Sequence, residues 1–200
     1  MTDGLILASA SPTRARLLAM AKLDLVVVAP AAVDEGAIKR RFQAAGRTAV
    51  DCALALAEAK ARDVAERRDR AFVIGADQLL ACNGTWFDKP SDLAEARAQL
   101  RALRGHAHEL VTAVCVVQNR TRLWHTVSRP RLFMREFSDA FLDDYIVAEG
   151  AAVLGSVGAY RLEGRGVQLF TRVEGDYFTI LGLPLLELLG FLRDRGRVPS

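Results

Sequence analysis

The segment LILASASPTRARLLAM, residues 5–20, places two serines, a proline and two arginines between an apolar run and a helical pattern. A strand that ends in hydroxyl residues before a helix offers backbone N–H groups and the positive end of the helix dipole to a phosphate. Ser9 and Ser11 would add hydroxyl donors, and the guanidinium of Arg14 matches the geometry of phosphate oxygens. The same residues also predict a simple helix start, with Ser11 as N-cap and Pro12 at the first helical position. On this segment alone both interpretations stay open.

Carboxylates follow two other apolar runs and favour a hard cation. Asp77 comes after AFVI at residues 71–74, and Asp34 with Glu35 follows LVVVA at residues 25–29. Magnesium is often shared between one or two carboxylates and the phosphates of a substrate. The acids therefore indicate a cation site beside the anion site. The alternative for Asp77 is a residue that caps the next turn.

Two lysines complete a set that would suit a triphosphate with a divalent metal. Lys60 lies in a helical pattern and Lys89 precedes Pro90, although each is also consistent with an ordinary surface lysine. Other site classes lack support. The sequence contains neither G-x-S-x-G nor G-x-x-x-x-G-K-[ST]. Its three widely spaced cysteines, and the pair His106 and His108 without a third ligand nearby, argue against a zinc site.

Alternating strands and helices, with hairpins between them, must position these side chains. The pattern predicts an α/β fold with a mixed, twisted sheet. Predicted strands cover 5–8, 25–29, 71–74, 109–118 and 123–133, with a hairpin at 78–87 around Asn83-Gly84. Predicted helices cover 11–22, 49–68, 92–104, 139–149 and 184–195.

Composition bounds the class of protein. The chain has 200 residues and a net charge of +3, and its arginines are scattered among acids rather than gathered on one stripe. A nucleic-acid partner is therefore not expected. Charges interrupt every apolar stretch before the ~20 residues that a membrane span needs, so no membrane partner is expected either. Asp3 precedes an apolar run of only four residues, and we expect no secretory signal and a cytoplasmic location.

The ordered motifs resemble those of the Maf family of nucleoside triphosphate pyrophosphatases. LASASPTRARLL resembles the family's opening pattern L-A-S-x-S-P-R-R-x-x-L-L. Further motifs follow in the family's order over nearly the whole chain: Val33-Asp34-Glu35, Leu56-Ala-Glu-Ala-Lys60-Ala, Ile74-Gly-Ala-Asp77-Gln, Lys89-Pro90, Leu103-Arg-Gly105-His-Ala-His108, Thr112, Gly158-Ala-Tyr160, Glu163-Gly-Arg-Gly166, Glu174-Gly-Asp-Tyr177 and Gly182-Leu-Pro184.

This resemblance implies hydrolysis between the α- and β-phosphates, giving a nucleoside monophosphate and pyrophosphate. It implies one Maf-like domain over residues 1–200, with an elongated, two-lobed architecture around a central cleft, and a possible homodimer. Asp77 would be the general base or would hold the attacking water, and with Glu35 it would bind Mg²⁺ or Mn²⁺. The remaining matched residues, Ser9, Ser11, Arg14, Lys60 and Lys89, would bind the triphosphate.

Three positions bear on the base of the nucleotide. Gln78 and Glu163 resemble the family branch that acts on 7-methyl-GTP, whereas Thr13 stands where one branch has arginine and the other a bulky aromatic. A carboxylate can accept hydrogen bonds from both N1–H and the exocyclic amino group of guanine, which favours a modified guanine nucleotide. The alternatives are a dTTP/UTP pyrophosphatase of the same family, or a nucleotide-binding regulator of cell division without turnover.

Overall fold

The computed structural model describes residues 4–23, 25–28, 31–68 and 70–199, and it confirms a mixed α/β fold. Among these residues eight strands form a mixed sheet. The strands are β1 (Leu5–Ala8), β2 (Leu25–Val28), β3 (Phe72–Cys82), β4 (Thr85–Phe87), β5 (Ala107–Gln118), β6 (Thr121–Ser128), β7 (Arg131–Met134) and β8 (Phe170–Glu174). The helices are α1 (Pro12–Met20), α2 (Glu35–Ala44), α3 (Ala49–Ala65), α4 (Leu93–Leu103), α5 (Asp139–Glu149), α6 (Tyr177–Ile180) and α7 (Leu185–Asp194).

The chain divides into two compact units, and the first comprises Met1–Gln78, Thr112–Ser128 and Asp176–Ser200. In this unit β1 pairs in parallel with both β2 and β3, and the 112–118 part of β5 pairs antiparallel with β6. The strands are covered by apolar side chains from α1 and α7. The buried core includes Leu7, Leu17, Leu18, Ile74, Val114, Val116, Leu188 and Leu192.

The second unit comprises Leu79–Val111 and Arg129–Gly175. The end of β3 forms the predicted hairpin with β4, and the turn residues Asn83 and Gly84 have φ of 49° and 80°. Asn-Gly tolerates the left-handed conformation that such a turn requires. The start of β5 pairs antiparallel with β7, which in turn pairs with β8.

Two of the predicted strands differ clearly from the observed ones. The strand predicted to end at Ile74 continues to Cys82, because the apolar residues after Gln78 extend the ladder onto β4. Asp77 therefore lies inside a strand rather than beyond its end. The strand predicted over 123–133 is two strands, separated at Arg129 and Pro130, since proline has no N–H to donate to a ladder. In the predicted strand at 25–29, Ala29 lies outside the described residues.

Among the described residues, no helix combines the length and the apolarity that a membrane crossing requires.

A buried histidine in the second unit should make the free energy of unfolding sensitive to acid. His108 is 2% exposed, and its Nε2 lies 2.9 Å from the hydroxyl of Tyr160. Burial lowers the pKa of His108 to about 4, with a smaller opposing contribution from the His106 carbonyl. The folded protein thus binds this proton less readily than the unfolded chain, whose histidines titrate near 6.5. Stability from this group is complete above about pH 6.5 and is lost as the pH falls toward 4.

We expect the free energy of unfolding to fall by about 3 kcal/mol over that interval because of His108. Urea titrations at several pH values between 7 and 4 would measure the slope. His108→Gln keeps a polar side chain that cannot titrate, and its curve should be flatter by this amount. An identical slope in the variant would contradict the assignment.

Candidate active site

The turn between β1 and α1 begins the site, and its serines have separate structural tasks. Ser11 is the N-cap of α1, with its hydroxyl accepting from Arg14 N at 3.4 Å, and Pro12 follows at the first helical position. The helix start predicted from the sequence is thereby confirmed. Ser9 is 5% exposed and its Oγ accepts from Ser11 N at 3.2 Å. Because the Ser9 hydroxyl accepts this bond, its own proton remains for another acceptor.

Arg14 is anchored on both sides of its guanidinium. Its Nε donates to the carbonyl of Gly182 at 2.7 Å, and its Nη1 donates to Ser9 Oγ at 3.2 Å. Burial lowers the pKa of Arg14, while the charges of Asp77 and Glu35 raise it. A guanidinium remains protonated at neutral pH in either case. The fixed cation can therefore serve an anion without rearranging.

Close packing of α3 on β3 brings the next charges together. Gly75 has no side chain, and a Cβ there would lie 2.1 Å from the carbonyl oxygen of Ala57 and 2.8 Å from Ala61 Cβ. Only glycine permits this approach of the helix backbone to the strand. Lys60 lies on α3 and Asp77 on β3, so the contact at Gly75 sets how near their side chains come.

The ammonium group of Lys60 contacts two carboxylates of the first unit. Its Nζ lies 2.6 Å from Asp77 Oδ1 and 2.8 Å from Glu35 Oε1. The side chains of Lys60 and Asp77 are 10% and 6% exposed, whereas that of Glu35 is 46% exposed. Asp34 caps α2 by accepting from Ala37 N at 2.8 Å, which places Glu35 in the first turn.

Asp77 keeps one carboxylate oxygen without a protein partner. Its Oδ2 is buried and finds no hydrogen bond among the described residues. Burial raises the pKa of Asp77 most strongly, Lys60 and Arg14 lower it, and Glu35 raises it. A buried acceptor without a partner is costly in a stable fold and is expected where a ligand or a proton supplies the partner.

Gln78 follows Asp77 and is tied to the protein through its amide nitrogen. Nε2 lies 2.8 Å from Thr112 Oγ1 and 3.1 Å from each of the carbonyl oxygens of Thr179 and Ile180. Three acceptors around one nitrogen identify it as the NH₂ end of the side chain. The amide nitrogen of Gln78 is therefore held by three acceptors of the first unit.

The structure brings most of the predicted site residues into the first unit. Ser9, Ser11, Thr13, Arg14, Glu35, Lys60, Asp77 and Gln78 all belong to it, and Thr13 lies half-buried in the first turn of α1. Lys89 and Glu163 belong to the second unit. There Lys89 is exposed, and Glu163 lies 3.7 Å from the Nε of Arg161.

Sequence reasoning missed the carbonyl groups that hold the site. The acceptors on Thr179, Ile180 and Gly182 are backbone atoms, which residue types do not reveal. The signals that were available are the spacing of Asp176 and Thr179, which suits a capped turn, and Gly182, whose φ of +100° requires glycine.

The donor set bears on a metal ion. Among the described residues, no group of three or more His, Cys, Asp or Glu side chains could hold one. Glu35 and Asp77 supply two carboxylates that both contact Lys60 Nζ, and Asp77 Oδ2 has no partner in the part of the chain that the structure describes. These oxygens fit Mg²⁺ or Mn²⁺, provided that water and phosphate oxygens complete the coordination, as is usual for Mg²⁺.

The sequence is similar to those of known proteins over most of its length. The sequence matches the family described as Maf-like protein over residues 4–195. A protein of Granulibacter bethesdensis named nucleoside triphosphate pyrophosphatase is 55% identical, over 94% of this chain and 95% of its own. A protein of the same name from Rhodospirillum rubrum is 50% identical, over 96% and 94%. A protein of Rhizobium meliloti named 7-methyl-GTP pyrophosphatase is 48% identical, over 98% of both chains. The chain belongs to the Maf-like protein family.

Proposed function

We propose that the protein hydrolyses nucleoside triphosphates between the α- and β-phosphates, releasing a nucleoside monophosphate and pyrophosphate. The names of the relatives support this reaction for the family. The observation that carries it here is the buried Asp77, whose Oδ2 has no hydrogen-bond partner among the described residues and whose Oδ1 contacts Lys60. A general base with cations beside it is what hydrolysis of a phosphoanhydride requires.

Each residue has a task in this reaction. Water adds across the anhydride: its oxygen forms the new bond to phosphorus, and its proton passes to Asp77 Oδ2. The bridging oxygen leaves with the other phosphate group. Arg14 and Lys60 neutralise the charge on the phosphates, and Ser9 and Ser11 orient them. The family resemblance implies a phosphate-binding task for Lys89 as well. Burial makes Asp77 a stronger base than an exposed carboxylate, which suits this task.

We propose that Glu35 and Asp77 hold the divalent cation, Mg²⁺ or Mn²⁺. Bound there, the cation would neutralise phosphate charge and favour ionisation of water. Lys60, which contacts both carboxylates, would neutralise them whenever the cation is absent.

For the substrate we propose a modified guanine nucleotide such as 7-methyl-GTP. The Rhizobium meliloti relative is named for that activity. Gln78 and Glu163 are the residues that the family resemblance associates with the base, and a carboxylate can accept from the donors on the guanine edge. Thr13 cannot stack on the cationic base as an aromatic residue would, and we expect it to weaken binding rather than alter the reaction. A homodimer in the cytoplasm, without nucleic acid or membrane partners, remains part of the proposal.

Pyrophosphate release from 7-methyl-GTP, GTP, dTTP, UTP and ITP tests the proposal. We expect the highest kcat/KM with 7-methyl-GTP, loss of activity in chelator, and recovery with Mg²⁺ or Mn²⁺. A preference for dTTP or UTP would keep the reaction and overturn the substrate. If a folded sample binds nucleotide but releases no pyrophosphate, the protein is a nucleotide-binding regulator instead.

A further inference from the structure

The segment from Asp176 to Gly182, here called the 176–182 turn, is a short capped structure in the first unit. The Oδ2 of Asp176 accepts from both Thr179 N at 2.7 Å and Thr179 Oγ1 at 2.8 Å. These bonds cap the one-turn helix α6 at its N-terminus. The turn closes at Gly182, whose backbone adopts φ +100°.

Three carbonyl oxygens of this turn bind side chains of the active site. Those of Thr179 and Ile180 accept from Gln78 Nε2, each at 3.1 Å. That of Gly182 accepts from Arg14 Nε at 2.7 Å. One short backbone segment therefore anchors both a phosphate-binding residue and a base-selecting residue of the proposed site.

Thr112 fixes the direction of the hydrogen bonds around Gln78. Its hydroxyl donates to the Thr179 carbonyl at 3.2 Å and accepts from Gln78 Nε2 at 2.8 Å. The hydroxyl proton of Thr112 is already donated to the Thr179 carbonyl. If the amide of Gln78 were flipped, its oxygen would therefore face the oxygens of Thr112 and Thr179. Thr112 and Thr179 are buried, at 0% and 1% exposure, so water cannot readily replace either bond.

We propose that Asp176, Thr179 and Thr112 are positioning residues that hold Arg14 and Gln78 in a fixed geometry through the 176–182 turn. This inference rests on the proposed function for its substrate. It predicts that loosening the turn lowers both the affinity for the triphosphate and the discrimination between bases. Chemistry at Asp77 should change little.

Asp176→Ala removes the cap, and Asp176→Asn keeps an acceptor. With Asp176→Ala we expect KM to rise and the kcat/KM ratio of 7-methyl-GTP over UTP to fall, each by roughly fivefold, which is the scale of one lost cap. The value of kcat should stay near wild type, and Asp176→Asn should restore most of the loss. Ser138→Ala removes the matching cap bond to Phe141 N in α5 and serves as control.

Hydrogen exchange by NMR gives a readout that needs no turnover. The Arg14 Nε–H and the Gln78 side-chain NH₂ should exchange faster in Asp176→Ala and remain slow in Ser138→Ala. Thr112→Val provides a second variant in case Asp176→Ala does not fold. It should speed exchange at Gln78 and lower base discrimination without affecting Arg14, and Thr112→Ser should restore both.

The outcomes separate the two ideas. If wild type releases pyrophosphate but Asp176→Ala matches Ser138→Ala in KM, discrimination and exchange, the positioning role is overturned and the proposed function stands. If wild type releases no pyrophosphate, the proposed function fails and exchange alone decides the positioning role. Unchanged exchange at Gln78 in Thr112→Val would likewise overturn it.

Discussion

The substitution Asp77→Asn is expected to lower kcat for pyrophosphate release by about a thousandfold, within the range for loss of a general base. Asparagine has the same shape but cannot take a proton from water. Nucleotide affinity measured without divalent cation should remain close to wild type, because Arg14 and Lys60 keep their charges. Steady-state release of pyrophosphate and calorimetric binding of a non-hydrolysable triphosphate would measure the two quantities.

Asp143→Asn is a matched control, since it removes a carboxylate that pairs with Arg97 on an exposed surface. It should leave kcat unchanged. Wild-type turnover in Asp77→Asn would remove Asp77 from the mechanism. A fall in affinity as large as the fall in kcat would mean that Asp77 binds substrate rather than activates water.

Lys60→Met should have the largest effect on stability. It leaves Asp77 buried beside Glu35 without the ammonium group that both contact. Breaking a buried ion pair from one side typically costs about 3–5 kcal/mol, and we expect a loss near the lower end because Glu35 is partly exposed. Urea denaturation at pH 7 would measure it. Arg68→Met, at an exposed position after α3, should change the free energy of unfolding little.

The pH dependence of this variant has a definite sign. Burial already raises the pKa of Asp77 and Lys60 opposes that shift, so removing Lys60 raises the folded pKa further above the unfolded value. The folded state then binds the proton more readily than the unfolded chain does. The free energy of unfolding therefore falls as the pH rises from the unfolded to the folded pKa of Asp77. Lys60→Met should therefore be less destabilised at pH 5 than at pH 8. Adding Asp77→Asn should recover stability and remove that slope; a double variant as unstable as the single one would contradict the pairing.

Local features of the site were predictable from the sequence because they depend on neighbouring residues. The cap at Ser11 and the turn at Asn83-Gly84 follow from residue types within a few positions of each other. The order of motifs indicated that Lys60 and Asp77 serve one site. Their contact at 2.6 Å was not predictable, since it depends on how closely α3 packs on β3 at Gly75.

Sequence reasoning does not reach contacts and pairings that depend on distant parts of the chain. Gln78 is held by Thr112 and Thr179, which lie 34 and 101 residues away along the chain. The continuation of β3 beyond Asp77 depends on the partner strand β4 rather than on the residues at its predicted end. Propensity and spacing carry no information about such partners.

The first unit is built from separated segments of the chain, and this affects how it can fold during synthesis. Its core is built from three separate stretches of the chain, and the last of them supplies Leu188, Phe191 and Leu192 from α7. The nascent chain therefore cannot complete this core until α7 has left the ribosome. Domains generally fold as their sequence emerges, yet here the guanidinium of Arg14 is anchored only after Gly182, 168 residues further along the chain, has been made. Until that segment emerges, the candidate site has to remain unassembled.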